Sequence, residues 1–489
     1  MKILISYPPL AGLKGCPTIG QNRQFQYFKQ PTYIYPVVPA QAASLLKRSG
    51  HEVIWNDCLA ENIDWKGFLS LIRKHNPDVI AFETKTPVVK QHWCIINDLR
   101  QENVTAKIVL FGDHVTALPE ESFQNSTVDF VLTGGDYDFL LKNLCDALLK
   151  PQFSANTLEP GVYYRENGSV KNTGPFKLDH DLNALPFIDR ELTKWQLYAF
   201  ENGNYKRTPG TYIMSGRDCW WGKCTFCSWP TLYPTFRVRS VNNTLDEIGE
   251  LIHTYKVREI MDDTGCFTTG EWLRSFCRGM IERGYNKKIY LDCNMRFGAL
   301  TAEDFKLMKK AGFRLLLFGL ESANQVSLDR VNKNLKIERV AEDCIAATHN
   351  GLFPHITIMF GYPWEKYEDA QKTLQLGQWL LRKGYAYTMQ ATVVIPYPGT
   401  KLFRECNEQN LLRSRDWDDY DMKTPIMVSP ISDDALSGLV QGMYKISYQP
   451  EFMLRKLLSV RDIDDLRYYI RAAKKVAGHV LDFRSAKKS

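Results

Sequence analysis

Three thiols stand close together in Cys219-Trp-Trp-Gly-Lys-Cys224-Thr-Phe-Cys227, while the other nine of the twelve cysteines are scattered singly. A triplet of soft sulfur donors can hold a soft metal ion or an iron–sulfur cluster. The two options make different demands. Structural zinc needs four closed ligands, and a Cys-x-x-Cys pair usually comes with a second pair. No fourth thiol or imidazole is close in sequence, and Cys266 and Cys293 qualify only after folding. A cubane held by three thiolates keeps one iron open, which is useful only where something must bind to it. The triplet alone leaves zinc and a cluster both open.

The elements around it narrow the choice. From residue 206 to about 405, six candidate strands (212–214, 259–261, 289–293, 314–318, 356–360 and 390–395) alternate with helical stretches near 243–255, 271–284, 302–311, 336–350 and 366–383. The fourth helix carries Ile337, Val340, Ala341, Cys344 and Ile345 on one face. Six strand–helix units predict a partial parallel (β/α)6 barrel, and chemistry in such barrels gathers at the carboxyl ends of the strands. The triplet follows the first of these strands.

Residues 1–150 also alternate short apolar runs with amphipathic segments, which predicts an open, mostly parallel α/β sheet. Ligands in such sheets sit beyond the carboxyl ends of the strands. Those ends carry Thr84, Thr86, Gly112, Asp113, His114, Thr116, Thr133, Gly134 and Gly135. Glycines there let a large flat ligand approach the backbone, although ordinary turns use the same residues. There is no Gly-x-Gly-x-x-Gly after the first strand, which speaks against a nicotinamide dinucleotide. Residues 151–205 read as a linker with a small hairpin, 162–164 against 170–172, and residues 406–489 as a mostly helical region.

The totals exclude several classes. Hydrophobic residues make up 44% and charged ones 24% of 489 residues, ordinary for a soluble protein. The net charge of +7 comes from 62 cations and 55 anions that are mostly intermixed, so no nucleic-acid partner is expected. No apolar run is long enough for a spanning helix or an export signal. The cysteines therefore read as reduced thiols in a cytoplasm. The last helical stretch, 451–482, is basic and interleaved with Leu, Tyr and Ile. It reads as a solvated helix capping the barrel, or more sharply as a peripheral contact with an anionic membrane.

At this point the motifs resemble a family. Phe111-Gly-Asp-His-Val-Thr-Ala-Leu-Pro-Glu-Glu121, Val128-Asp-Phe-Val131 and Thr133-Gly-Gly-Asp136 look like the vitamin B12-binding domain at the front of cobalamin-dependent radical S-adenosylmethionine (SAM) enzymes. The Asp-x-His-x-x-Gly element that ligates cobalt from below is absent; Asp57-Cys-Leu-Ala-Glu61 stands in its place. Cys224-Thr-Phe-Cys227 resembles the end of the radical SAM cysteine motif. Its usual spacing is three residues then two; here it is four then two, with the extra residue in Trp220-Trp221-Gly222-Lys223. Cys227-Ser-Trp-Pro230 with Arg237-Val-Arg239-Ser240 is similar to the branch of the anaerobic magnesium-protoporphyrin monomethyl ester cyclase and the hopanoid cyclitol-ether-forming enzyme.

The resemblance implies a 4Fe-4S cluster on Cys219, Cys224 and Cys227 whose open iron chelates SAM. It places Phe226 by the adenine, and Asp262, Asp263 and Thr264 by the methionine amino group. Asp292 would face the ribose, with Arg296, Glu321, Ser322, Lys333 and Gly361 completing the SAM site. It places cobalamin at the strand-end residues of the first domain. The implied activity is reductive cleavage of SAM to a 5′-deoxyadenosyl radical that takes hydrogen from an unactivated carbon. C-methylation of a small-molecule or lipid substrate is the leading outcome, with flavodoxin or ferredoxin as electron donor. Radical cyclisation without methylation is the alternative within the enzyme class; a non-catalytic cobalamin-binding sensor or carrier, or a zinc adaptor, lies outside it.

Overall fold

The computed structural model describes residues 1–10, 16–17, 27–28 and 33–482. Its first sheet comprises β1 (Lys2–Tyr7), β2 (Glu52–Asp57), β3 (Val79–Glu83), β4 (Lys107–Phe111), β5 (Phe130–Leu132), β6 (Val162–Glu166) and β7 (Ser169–Asn172). The order is β2-β1-β3-β4-β5-β6-β7. The first five strands are parallel, and β6 and β7 add antiparallel at the edge. The hairpin expected in the linker is therefore part of this sheet: Phe130, Val131 and Leu132 pair with Tyr164, Tyr163 and Val162.

The period of two along each strand sorts its side chains into two layers. Ile3, Ile5, Val79, Ala81, Val109 and Phe111 join one core, and Leu4, Ile80, Phe82, Ile108 and Leu110 the other. Helices α1 (Val37–Arg48) and α5 (Tyr137–Leu148) cover the first layer, α2 (Trp65–His75) and α3 (Val89–Gln101) the second. Burial on both faces explains why β3 is apolar up to its final Glu83. The short helix α4 (Asp113–Ala117) starts immediately beyond β4.

The second sheet holds β8 (Gly210–Ile213), β9 (Glu259–Asp262), β10 (Tyr290–Met295), β11 (Phe313–Glu321), β12 (Phe353–Phe360) and β13 (Thr388–Val393). All six are parallel and lie in sequence order. Between them run α6 (Trp229–Leu232), α7 (Val241–His253), α8 (Glu271–Glu282), α9 (Ala302–Lys310), α10 (Glu338–His349) and α11 (Tyr367–Lys383). Local chemistry sets their starts. The Ser240 side chain caps α7, and Thr301 and Asp304 form a reciprocal capping box at α9.

Beyond β13 come α12 (Asp433–Lys445), α13 (Pro450–Leu458) and α14 (Ile463–Asp482). The single helix expected over 451–482 is thus two. Asp462 accepts a hydrogen bond from Asp465 N (2.8 Å) and starts a new helix there.

Buried charges join the two sheets. Arg217, 2% exposed, donates from Nη1 to Asp136 and Asp138 (both 3.0 Å) and from Nη2 to Gln41 (2.8 Å) and Asp138 (2.5 Å). Arg237 adds two bonds to Asp136 (2.8 and 2.6 Å), and His180 bridges Asp136 (3.0 Å) and Glu159 (2.9 Å). Asp136, beside the glycine pair at the end of β5, is the hub of this knot.

Candidate active site

The cysteine loop leaves β8 through a two-strand clasp in which Gly216 pairs with Val238 and Arg217 with Arg237. Beyond the clasp, the backbone of Cys219 bridges that of Cys266. Cys227 N donates to Cys224 O (3.2 Å), closing a turn, and Thr225 between them is fastened on both sides, to Val331 O (3.0 Å) and from Leu402 N (2.9 Å). The inserted residue is absorbed at Gly222, which takes φ +56°, a left-handed conformation that suits glycine. The bulge is pinned by Trp221 Nε1 on Asn332 O (2.9 Å), by Asn332 Nδ2 on Lys223 O (3.1 Å) and by Trp220 Nε1 on Phe267 O (3.3 Å).

All three thiols face one chamber of about 640 Å³, within the size of ordinary ligand pockets. Phe226, Arg296, Glu321 and Lys333 share its wall. Glu321 and Lys333 form a buried ion pair at 2.7 Å. Glu321 sits at φ +65°, after a register shift between Gly319 and Glu321. A Cβ on Gly319 would meet Glu321 Oε1 at 2.3 Å and Lys333 Nζ at 2.7 Å, so a side chain there would push the pair aside. Arg296 Nη2 donates to Lys333 O (2.5 Å), and its guanidinium lies over Trp221 (4.7 Å) and Trp220 (5.5 Å). Burial pushes the Cys224 thiol up, and Lys333 and Arg296 act against it, as cations beside a thiolate should.

The donor set fits a cluster. Among the described residues no three Cys, His, Asp or Glu side chains converge on a single ion, whereas a cubane takes each thiolate on a separate iron. Cys266 is buried and not in the chamber wall; its thiol points to Phe267 O (3.8 Å) and also touches the Cys219 side chain.

Other residues expected at the SAM site lie elsewhere. Asp262 accepts from Ser215 N (3.2 Å), Thr264 N (3.0 Å) and Thr264 Oγ1 (2.6 Å), and Thr264 Oγ1 accepts from Gly216 N (2.9 Å). They shape the loop, while the neighbouring Gly265 lines the chamber. Asp263 is buried, and its charge helps hold the Lys85 ammonium of the first domain. Asp292 bonds to Arg314 Nη2 (2.6 Å) and Leu315 N (3.0 Å), deep in the sheet. Ser322 Oγ accepts from Asn324 N (3.1 Å), and Gly361 N donates to Glu365 (2.9 Å), whose carboxyl is pushed up to about 7 by burial. None of these six lines the chamber. Asn294, His355, Thr357 and Gln390 do. Their signal was present in β12, where His355 and Thr357 alternate with the buried Ile356 and Ile358.

The strand-end residues of the first domain are largely engaged with the protein itself. A Cβ on Gly112 would meet Thr84 O at 2.2 Å, on Gly134 the Phe176 ring at 2.4 Å, and on Gly135 the Tyr233 ring at 1.9 Å. Those rings pack against the two glycines on the side where a side chain would stand. His114 bonds to Thr86 (3.2 Å) and Glu121 (3.1 Å), Thr116 Oγ1 to Gly112 O (2.7 Å), and Thr133 Oγ1 to Gly161 O (2.8 Å). Asp113 lies 3.8 Å from Lys85. Thr84 differs: its hydroxyl is buried with no hydrogen-bond partner among the described residues.

A cysteine triplet after the first of six parallel strands, with an acid–lysine pair at the fourth strand end, defines a radical SAM domain, and residues 213–377 match the Radical SAM superfamily model. These residues form a radical SAM domain. The chain is 27% identical, over 88% of its length and 90% of the relative's, to an uncharacterized methyltransferase of Pyrococcus horikoshii. It is 23% identical to the anaerobic magnesium-protoporphyrin IX monomethyl ester cyclase of Cereibacter sphaeroides, covering 80% of this chain and 63% of the cyclase. Its whole fold is similar to the radical SAM methyltransferase TsrM of Kitasatospora setae, solved with cobalamin and a [4Fe-4S] cluster bound. The TM-score is 0.69 and the identity 14%, over 97% of this chain and 99% of that one.

Proposed function

We propose that this protein is a cobalamin-dependent radical SAM C-methyltransferase acting on a small-molecule or lipid substrate, with the second sheet as a partial (β/α)6 barrel. The observation that carries this reading is the end-to-end likeness to proteins named as methyltransferases, in sequence and in fold. When bound, a 4Fe-4S cluster and SAM supply a carbon-centred oxidant able to remove hydrogen from an unactivated position.

The chain's own share is position and exclusion. Cys219, Cys224 and Cys227 would hold the cluster, and Phe226 would pack on the adenine. Glu321, Lys333 and Arg296 offer paired charges to the polar parts of SAM. The neutral walls Leu315, Leu317, Met389 and Met443 keep water from the reacting carbon. His355 stays uncharged there: burial, aided by Arg314, lowers its pKa to about 4. In the first domain the Thr84 hydroxyl, buried without a partner among the described residues, suits a polar ligand group, and the strand ends around it are where cobalamin would be held.

Incubation of the anaerobically reconstituted protein with methyl-deuterated SAM and candidate substrates is expected to transfer the label to product. Deoxyadenosine formed alongside an unlabelled, cyclised product would replace this reading with cyclisation, which the cyclase relative favours. A sensor or carrier would form no deoxyadenosine.

We also propose that α13 and α14 rest on an anionic bilayer. Met453, Leu454, Leu457 and Leu458 are 51–77% exposed, with Ile463, Leu466 and Ile470 continuing the apolar face and Lys445, Arg461, Arg467 and Lys474 exposed around it. No helix of the described residues is long and apolar enough to cross a membrane. Co-sedimentation with phosphatidylglycerol vesicles, weak with phosphatidylcholine, is expected, and Leu454→Ser with Leu458→Ser should abolish it. Equal sedimentation of the variant would sink the idea.

A further inference from the structure

At the amino-terminal end of the second sheet, opposite the cysteines, lies a second cavity of about 450 Å³. Lys206, Lys309, Arg314, Arg455, Lys456 and Arg461 line it, and no carboxylate does. Among the described residues only two of the six have acidic partners: Lys206 with Asp465 (3.1 Å), and Arg314 with Glu259 (2.7 Å) and Asp292 (2.6 Å). Lys309, Arg455 and Lys456 bond to the backbone carbonyls of Gly351 (2.8 Å), Leu381 (2.8 Å) and Tyr387 (2.9 Å), and Arg461 is exposed. Capping of helix ends accounts for some of these bonds, but carbonyls do not neutralise charge. Arg314, 2% exposed, keeps Nε and Nη1 buried without partners among the described residues.

The cations strain one another. Burial, then Arg461, Lys206 and Arg314, depress the Lys309 ammonium, and burial with Arg455, Lys206 and Arg314 depresses that of Lys456 well below the usual lysine range. Lys309, Arg455, Lys456 and Arg461 lack a carboxylate partner among the described residues, and a compact multivalent oxyanion would supply the counter-charge. Phe452, Lys456 and Tyr469 line both this cavity and the chamber that holds the cysteines. The two spaces therefore share a wall, one side cationic and the other mainly apolar.

We propose that this pocket binds the phosphate or diphosphate group of an elongated amphiphile whose apolar part lies in the adjoining chamber. The assignment of that amphiphile as substrate rests on the function proposed above; the anion site itself does not.

Calorimetric titration of the full, anaerobically reconstituted chain with inorganic pyrophosphate tests the site without any turnover. Saturable binding is expected, weakened at least tenfold by Lys309→Ala combined with Arg461→Ala and unchanged by Lys306→Ala, an exposed control on the same helix. Absent binding, or equal binding by the double variant, overturns the site. Dodecyl phosphate below its micellar concentration should bind at least tenfold more tightly than inorganic phosphate, with the advantage lost in the double variant. Equal affinities would overturn the amphiphile and leave a site for a free oxyanion. Failure of methyl transfer would alter none of these titrations.

Discussion

Cys224→Ala protein, reconstituted without oxygen, is expected to lack the brown 4Fe-4S absorption and to cleave SAM no faster than buffer. Cys219→Ala and Cys227→Ala should behave alike. Each thiolate holds one corner of a cubane, and a second open corner removes the geometry in which a single iron is free for SAM. Nothing nearby can substitute at Cys224 or Cys227. Near Cys219, however, stands Cys266, bridged to it through the backbone. Cys266→Ala should keep the full cluster, because Cys266 is buried and outside the chamber wall, its thiol touching Cys219 from behind the wall. Iron and sulfide analysis of the four variants checks the assignment. A full cluster in Cys219→Ala, with loss in Cys266→Ala, would move the first ligand to Cys266 and make the inserted residue a true change of motif.

Arg217→Met is expected to cost about 3–5 kcal/mol of folding stability, since it leaves the buried Asp138 without its cation and Asp136 with Arg237 and His180 alone. Asp136 and Asp138 are 1% and 0% exposed, and Arg217 is the guanidinium shared between them. Denaturant titration should show a lower midpoint, with the first domain releasing early because the lost bonds cross between the sheets.

The same knot gives stability a pH dependence. Burial alone would lower His180, but its bonds to Asp136 and Glu159 outweigh that and raise it from 6.5 to about 9. A group raised on folding contributes fully below its unfolded pKa and is lost as pH rises through the folded one. Stability should therefore fall between about pH 6.5 and pH 9, and His180→Asn should flatten that slope. A slope unchanged by His180→Asn would place the titration elsewhere.

Much of this was legible because strands and helices advertise their periods and three thiols in a row have few uses. Strand ends were less so. Reading β10 as 289–293 puts Asp292 at the carboxyl end, but the strand runs on to Met295. Asn294 and Arg296 then reach the chamber, while Asp292, one pleat earlier, is consumed by Arg314. Likewise β9 includes Asp262, so the chamber residue is Gly265. The cationic pocket was invisible: its six charges come from residues 206 to 461 and meet only through the fold. The glycines at 134 and 135 were visible, but the Phe176 and Tyr233 rings that require them are remote in sequence.

One residue after Cys227, Ser228 stands at the start of α6, and the end of that helix is bonded to the first domain. Gly135 N donates to Leu232 O (2.9 Å), and Tyr233 Oη donates back to Gly135 O (3.1 Å). The two sheets are consequently poor interchangeable modules. A chimaera that exchanged the first domain at the 151–205 segment would import a foreign surface against α6, and the disturbance would arrive at the cysteine loop. A successful graft has to carry the Thr133–Asp136 turn together with residues 229–233, as one inherited unit.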